Sequence, residues 1–572
     1  MNKKTMRYTI KDEKYYIDDK IVDFQPHLLP NDEVEIVNDK VILKKRFYTR
    51  IVGVLKTNDK SFVGKSPKHG IFLKEFIPAD SSLPTMMART KIKWYKTNKY
   101  VIVEPMDYDS STKKIRCSIQ INIGNVGDSL AEENYILHAN KCYYKKHEPV
   151  LDTEFIDPFS DHRIDFTKKE VISIDPPECE DIDDAFHVEM LDDNALLVGV
   201  HIADVTSYIP YESKIDNNAQ IRGTTVYLPT RRIDMLPSEY STNICSLKEK
   251  VPKRVTSILI TFKDNRVIDY KIQKSSIIVK HNYSYEEFDS LTHSSNIKSL
   301  ITMAKNMYPK IICGDIRKII PYNKKNFDSH YLIEFLMVLS NSFVGKFLSK
   351  YKNLYRVSNG ITGFPIHKDP YNISSYMMVE CTKFGSSGEH KMIGTQNYVY
   401  FTSPIRRYAD IYTHRLINYA LGTDIDPQKN YEDLLIHLNE KDRSSKKVQR
   451  ESKKIQLLKM FNGADSLEFS ESYIVSFDKE TKRLKLYISE LESIFTMNVL
   501  NKKIDSYGKI LIDYDEKKGI IMITNTENDY SYSIKVGTKI PFKVFLFNRE
   551  TSINKKFKFK IDDPKFNFIL SF

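Results

Sequence analysis

Short runs rich in β-branched and aromatic residues, broken by turn-forming pairs, occupy the first ~165 residues of the chain. Tyr15 to Val22, Glu33 to Leu43, Thr49 to Leu55, Tyr100 to Val103 and Arg116 to Ile121 read as strands. Asn31-Asp32, Asn38-Asp39, Asn58-Asp59 and Asp107 to Ser111 supply the breaks. Strands at this spacing predict small barrels of the OB type, an architecture that often holds single-stranded nucleic acid. A purely structural β module would carry the same pattern.

From Val171 to about Asp465 the pattern turns to mixed α and β. Val171 to Asp175 and Ala195 to Val200 read as buried strands, and helical periodicity runs through Leu332 to Leu348, Ile405 to Leu421 and Tyr431 to Phe461. Asn462-Gly463 is expected to cap the last helix. Its basic segment Ser445 to Lys454 reads as a solvated helix face or as an RNA contact. From Ser470 the short strands return at Tyr473 to Phe477, Leu484 to Ile488, Lys509 to Ile512, Gly519 to Thr524 and Ile540 to Phe547. They fit another five-stranded barrel. Lys556-Phe557-Lys558-Phe559-Lys560 alternates with period two, which gives a strand one basic and one aromatic face.

Composition narrows the class. The chain has 572 residues, room for about four domains at ~150 residues each. With 41% hydrophobic residues and few Gly and Pro, it is neither collagenous nor largely disordered. Lys plus Arg exceed Asp plus Glu by 87 − 75 = 12, a mild excess that favours polyanionic partners. The six cysteines include no C-x-x-C pair, so a disulfide scaffold and a zinc ribbon are not expected, and a reducing compartment fits. No run reaches ~18 apolar residues, and no apolar signal core follows the basic first residues. The expectation is a soluble intracellular protein, nuclear or cytoplasmic, without membrane contact.

The candidate chemistry is concentrated in Asp175-Pro176-Pro177-Glu178-Cys179-Glu180-Asp181-Ile182-Asp183-Asp184. Like charges packed this closely repel, and divalent cations relieve the cost. Carboxylate oxygens without His or Cys suit Mg²⁺ or Mn²⁺ rather than zinc. An EF-hand fits poorly, because counting from Asp181 the glycine and glutamate positions hold Phe186 and Asp192. A second segment, Phe401-Thr402-Ser403-Pro404-Ile405-Arg406-Arg407-Tyr408-Ala409-Asp410, predicts a helix capped by Thr402 or Ser403, with both arginines in its first turn. Such an end attracts phosphate. His201, within His201-Ile202-Ala203-Asp204-Val205, reads as a satisfied core histidine, and Tyr227 taken alone as a core aromatic.

Together these segments resemble the RNB catalytic domain of the ribonuclease II and ribonuclease R family. The D-x5-D-x-D-D signature is complete at Asp175, Asp181, Asp183 and Asp184. Val198 to Val205, Arg222 to Pro229, Arg232 to Pro237, Cys245-Ser246-Leu247 and Phe401 to Asp410 follow in the family's order. The wording is nearest to the branch found in the eukaryotic exosome, without room for that branch's endonuclease domain. The resemblance implies a multidomain α+β protein, with cold-shock and S1-like OB barrels flanking a mixed α/β RNB domain. The expected boundaries are a shortened cold-shock-like segment over 1–47, a cold-shock domain over 48–165, the RNB domain over 166–466 and an S1-like domain over 467–572.

It further implies a processive 3′→5′ exoribonuclease that hydrolyses single-stranded RNA to nucleoside 5′-monophosphates with two Mg²⁺ ions, Mn²⁺ substituting. Asp175, Asp181, Asp183 and Asp184 would hold metal, and turnover would depend most on Asp183. Tyr227 would stack on the terminal base, Arg406 would grip the scissile phosphate with Arg407 in support, and Glu334 would contact RNA. Partners of an RNA-decay or exosome type would follow. Three departures stand out: a short stretch between Leu300 and His330 where the family carries a second aromatic clamp, Phe335 after Glu334 where a second acid is usual, and Tyr400 where a histidine is common. The rival reading is a catalytically silent RNA-binding or scaffold protein that keeps the fold.

Overall fold

The computed structural model describes residues 6–571 apart from 12–13, 19, 39, 60–62, 67–69, 149–156, 158, 161, 320–321, 359–381, 462–463, 479–482, 492, 499–509, 516–517, 526–529, 536–537, 547–556 and 562–568. The chain divides into two compact units, one of residues 1–143, 450–469 and 541–572, the other of 144–449 and 470–540.

The first unit opens with a five-stranded sheet, in the order Lys20–Val22, Lys14–Ile17, Met6–Lys11, Glu33–Val37, Lys40–Lys45. The run Tyr15 to Val22 is therefore a hairpin rather than one strand, and Glu33 to Leu43 is another. Asp18 and Asn38 break them with φ of 43° and 49°, a left-handed conformation that these short polar side chains tolerate. A second sheet closes on itself because Ile51–Leu55 pairs with both Lys99–Asp109 and Ile71–Pro78. Closure depends on Gly53, where a Cβ would lie 2.3 Å from the Ile77 carbonyl oxygen. Helix Ser129–Ala139 follows, its first turn capped by Asp128.

The second unit is built on a sheet in the order Ile164–Asp165, Arg266–Ser284, Val171–Asp175, Asp184–Met190, Leu196–Ala203, Pro252–Lys263. The 19-residue strand Arg266–Ser284 pairs on both sides, with Val171–Asp175 and Pro252–Lys263, so this sheet also closes. Val198, Val200, Ile202, Ile258 and Ile260 fill its buried face. Phe335 and Leu336 of helix Ser329–Phe347 belong to the same core. That helix packs closely through Gly345, where a Cβ would meet the Asn397 carbonyl oxygen at 1.6 Å. Helix Tyr431–Phe461 has the expected span, while Asn462 and Gly463 lie outside the described residues.

Towards the C-terminus the expected strands appear as Ser466–Asp478, Arg483–Ile488, Ile510–Asp515, Ile520–Asn525 and Lys539–Leu546. Ser493–Asn498, Tyr530–Lys535, Phe557–Ile561 and Ile569–Ser571 are additional, and the five expected strands do not form one barrel, because Ile510–Asp515 and Ile520–Asn525 pair with Tyr530–Lys535 in a three-stranded sheet of their own. Lys556 and the side chains of residues 557–560, with their expected basic and aromatic faces, lie outside the described residues. Among the described residues no helix is long and apolar enough to cross a membrane. The architecture is multidomain α+β.

Candidate active site

Asp175 ends the strand Val171–Asp175, and Asp184 begins the next, Asp184–Met190. The loop between them turns at Glu178, with φ of 60°. Ser246 fixes that loop, accepting from the Ile182 backbone N–H at 3.1 Å and donating to the Glu180 carbonyl at 2.8 Å. Leu247 N–H adds a 3.0 Å bond to the Ile182 carbonyl. These bonds give the Cys245-Ser246-Leu247 segment a physical task. The loop's carboxylates are thereby aimed into a cavity of about 760 Å³. Asp175, Asp181, Asp183, Asp184, Tyr227, Glu334, Arg406 and Arg407 all line it, so the residues marked in the sequence come together in space.

Each aspartate has its own surroundings. Asp183 is buried; its Oδ1 accepts from the Ile405 N–H at 2.8 Å and its Oδ2 lies 3.3 Å from Arg406 Nε. Burial still dominates and pushes its carboxyl up to about 8. Asp175 is pushed up to about 6, chiefly by burial and then by Asp181, against a bond from Ser173. Its Oδ2 is buried with no hydrogen-bond partner. Asp184 is raised well above the usual range by burial and by Asp175 and Asp183. Asp181 accepts from Arg232 Nη1 at 2.8 Å and from the Tyr227 hydroxyl at 3.0 Å.

The arginines do not sit where a helix cap would put them. The helix starts at Tyr408, with Arg407 as its N-cap and no side-chain capping bond. Residues 403–407 form a tight turn instead, with Arg407 N–H donating to the Ser403 carbonyl at 3.1 Å. Tertiary pairing decides this: Thr225 N–H takes the Arg406 carbonyl at 2.9 Å, and Tyr408 N–H takes that of Gly223 at 2.9 Å. The free-amide phosphate site expected at this helix start is therefore absent. Arg406 is steadied by Ser403 Oγ at 3.0 Å, and Arg407 by Asp410 at 2.7 Å and by the Tyr400 ring at 3.9 Å.

Tyr227 is 41% exposed, so its ring faces the cavity while its hydroxyl is tied to Asp181. Glu334 accepts from the Tyr308 hydroxyl, which in turn accepts from Arg317 at 2.5 Å. Burial raises the Glu334 carboxyl. His201 is a satisfied core histidine, its ring nitrogens 2.7 Å from His187 Nδ1 and 2.7 Å from Ser257 Oγ. Two contributors went unassigned in the sequence, Arg232 and Tyr285. Arg232 faces Tyr227 across a two-strand ladder, and Tyr285 lines the cavity with its ring stacked 3.8 Å from His330. Arg232 lay within a family segment, but nothing local marked it; Tyr285 had no signal at all.

Among the described residues, no three His, Cys, Asp or Glu side chains are grouped to hold one metal ion. Asp181 and Asp183 turn towards guanidinium groups instead. The donor set nonetheless fits a hard divalent cation. The four aspartates offer only oxygen, burial raises the carboxyls of Asp175, Asp183 and Asp184, and Asp175 Oδ2 is buried without a partner.

A comparison with family models matches the RNB domain over residues 163–363 and 366–423. Those residues are similar to the RNB domain. Human exosome complex exonuclease RRP44 is 26% identical, over 74% of this chain and 53% of that protein. Ribonuclease R 2 of Lactococcus lactis is 26% identical, over 58% of this chain and 62% of that protein. The chain thus spans about half the length of the first of these relatives. Among solved structures, Mycoplasma genitalium RNase R in complex with ribose-methylated single-stranded RNA superposes with a TM-score of 0.70 at 18% identity. That match covers 97% of this chain and all of the other, and it supports the RNB fold. Yeast Ssd1, a pseudonuclease, matches with a TM-score of 0.60 at 17% identity, over 87% of this chain and 71% of that one. The RNB fold therefore occurs with and without nuclease activity, and the residues in the cavity carry the functional argument.

Proposed function

We propose that the chain is a processive 3′→5′ exoribonuclease that hydrolyses single-stranded RNA to nucleoside 5′-monophosphates. The observation that carries the reading is the convergence of four aspartates, Arg406 and an exposed Tyr227 ring on one cavity. A silent binder has no need of four crowded carboxylates, nor of burying Asp175, Asp183 and Asp184 so that their carboxyls are raised. Asp175, Asp181, Asp183 and Asp184 would hold Mg²⁺, with two ions as the family resemblance implies. When bound, the cation supplies Lewis acidity to the phosphodiester and charge against the departing oxygen.

The chain's own residues do the rest. Arg406 would hold the scissile phosphate, its guanidinium set by Asp183 and Ser403. Arg407, braced by Asp410 and Tyr400, would support it. Tyr227 would stack on the 3′-terminal base, and Glu334 would contact the RNA from the helix wall. RNA-decay or exosome-type partners belong to the same proposal. The test is incubation of 5′-labelled single-stranded RNA and DNA of equal sequence with protein and Mg²⁺, followed by EDTA. Shortening of RNA from its 3′ end that EDTA stops is expected; binding with no shortening would favour the silent reading.

A further inference from the structure

Among the described residues, the short stretch between Leu300 and His330 places no side chain on the cavity. It builds a support for one that does. Tyr308, on helix Ser295–Ile311, is buried and packs its ring against Tyr322 at 5.0 Å and Tyr331 at 5.1 Å. Its hydroxyl accepts from Arg317 Nη2 at 2.5 Å and donates to Glu334 Oε2. Arg317 is itself held, its Nε donating to the Ile312 carbonyl at 3.2 Å and its guanidinium lying 4.7 Å from the Tyr308 ring.

An arginine can only donate, so the Tyr308 oxygen accepts from it and the hydroxyl proton goes to Glu334. Bonds in such a chain polarise one another and fix the carboxylate's direction. Among the described residues Oε1 takes no such bond, which leaves it for a ligand in the cavity that Glu334 lines. The relay acts on charge as well. Burial raises the Glu334 carboxyl, while the Tyr308 bond and then the Arg317 charge lower it. Tyr398, whose hydroxyl accepts from Asn341 Nδ2 at 3.0 Å, is the other titratable side chain interacting with Glu334 among the described residues.

We propose that Tyr308 and Arg317 are positioning residues for Glu334, holding its carboxylate in one orientation so that Oε1 accepts a hydrogen bond from the bound nucleotide. That Glu334 meets RNA rests on the exoribonuclease reading; the relay rests on the geometry of this wall.

The test compares kcat/KM on a short oligoadenylate in Mg²⁺, from about pH 5 to about pH 9, for wild type, Tyr308→Phe, Arg317→Met and Arg317→Lys. Removing either partner lets burial win, so Glu334 keeps its proton to higher pH and accepts less. The ratio of wild type to Tyr308→Phe should rise about 10-fold from the alkaline to the acid end, the scale of one hydrogen bond to a charged group. Arg317→Met should show the same trend, and Arg317→Lys, which keeps the charge, should recover part of it. In a Glu334→Gln background Tyr308→Phe should have a pH-independent effect of less than about threefold, because members of one network do not act additively. A ratio flat across pH, or full additivity with Glu334→Gln, would make Tyr308 a packing residue and overturn the proposal. If Tyr308→Phe does not fold, Arg317→Met, at a half-buried position, gives the same two readouts. Should wild type leave the RNA unshortened, the exoribonuclease reading falls by itself, and affinity for the same oligoadenylate in EDTA supplies the ratios. Absence of binding as well would overturn the relay.

Discussion

Tyr227 and Arg232 face each other across a two-residue antiparallel ladder and hold the two oxygens of one carboxylate. Arg232 Nη1 lies 2.8 Å from Asp181 Oδ1, and the Tyr227 hydroxyl 3.0 Å from Oδ2. The ring proposed to receive a base is thus oriented by an aspartate of the signature. Arg232 is anchored in turn by Asp234 at 2.5 Å.

That arrangement separates two roles of Tyr227. Tyr227→Phe keeps the ring and loses one hydrogen bond to a charged group, so hold on the terminal nucleotide should fall by about 1.5–3 kcal/mol at most. Tyr227→Ala loses the stack as well and should exceed the Phe variant by about 1–3 kcal/mol. Short-oligonucleotide kinetics and final product length are the measurements. Identical products from wild type and Tyr227→Ala would make the ring a wall of the cavity and nothing more.

Asp183→Asn should reduce single-turnover cleavage by more than about 100-fold, the scale for removing a group that acts on the transition state. RNA affinity by filter binding should stay nearly unchanged, since contacts along the strand are distributed. Cleavage within tenfold of wild type would sink the assignment.

Asp204 supports the catalytic unit electrostatically. It is buried, with Arg163 at 2.6 Å, Lys274 at 3.0 Å and Thr206 at 2.7 Å. Burial pushes its carboxyl up, but Lys274 and Arg163 win and hold it well below the usual range. A depressed carboxyl contributes stability that is present above the unfolded value, ~3.9, and is lost as pH falls towards the folded value. Asp204→Asn leaves two cations uncompensated and should cost about 3–5 kcal/mol at pH 7. Urea unfolding should show the wild-type advantage shrinking below about pH 4; a constant gap would count against the ion-pair account.

His414 adds a second source of acid sensitivity. It is fully buried, 3.0 Å from the Phe401 carbonyl and 3.3 Å from Thr256 Oγ1. Burial, with Lys274 next, lowers its ring from 6.5 to about 3. Between those values the unfolded chain binds a proton that the folded one does not, so stability falls as pH falls. The expected slope from this residue is up to about 1.4 kcal/mol per pH unit. His414→Asn should flatten the urea midpoint's dependence between pH 6.5 and 4; an unchanged slope would place the acid sensitivity elsewhere.

How far the sequence could be read depended on how local each signal was. The D-x5-D-x-D-D spacing is carried by ten consecutive positions, from Asp175 to Asp184, so it announced the site without any fold. Asn31 and Asn38 take left-handed backbone where the turn pairs stand and break the first strands there. Local stereochemistry decides such features, and sequence displays it. The start of the helix at Tyr408 is different. Ser403 and Pro404 make a good helix opening, but Thr224, Thr225 and Gly223 claim the backbone of residues 406–408 and delay the helix.

The cavity itself is a tertiary fact. Ile405 N–H and its acceptor Asp183 are 222 residues apart, and Tyr227 is 46 residues from the carboxylate it holds. Arg232 had a recognisable neighbourhood and no assigned purpose until the ladder set it beside Asp181. The sequence by itself determined which residue types were available, in what order, and that four carboxylates would need positive charge nearby. Only the folded chain decided which cations and hydroxyls meet which oxygen. Hydrogen bonds and ion pairs act over about 3 Å, and positions far apart along the chain come that close only through packing.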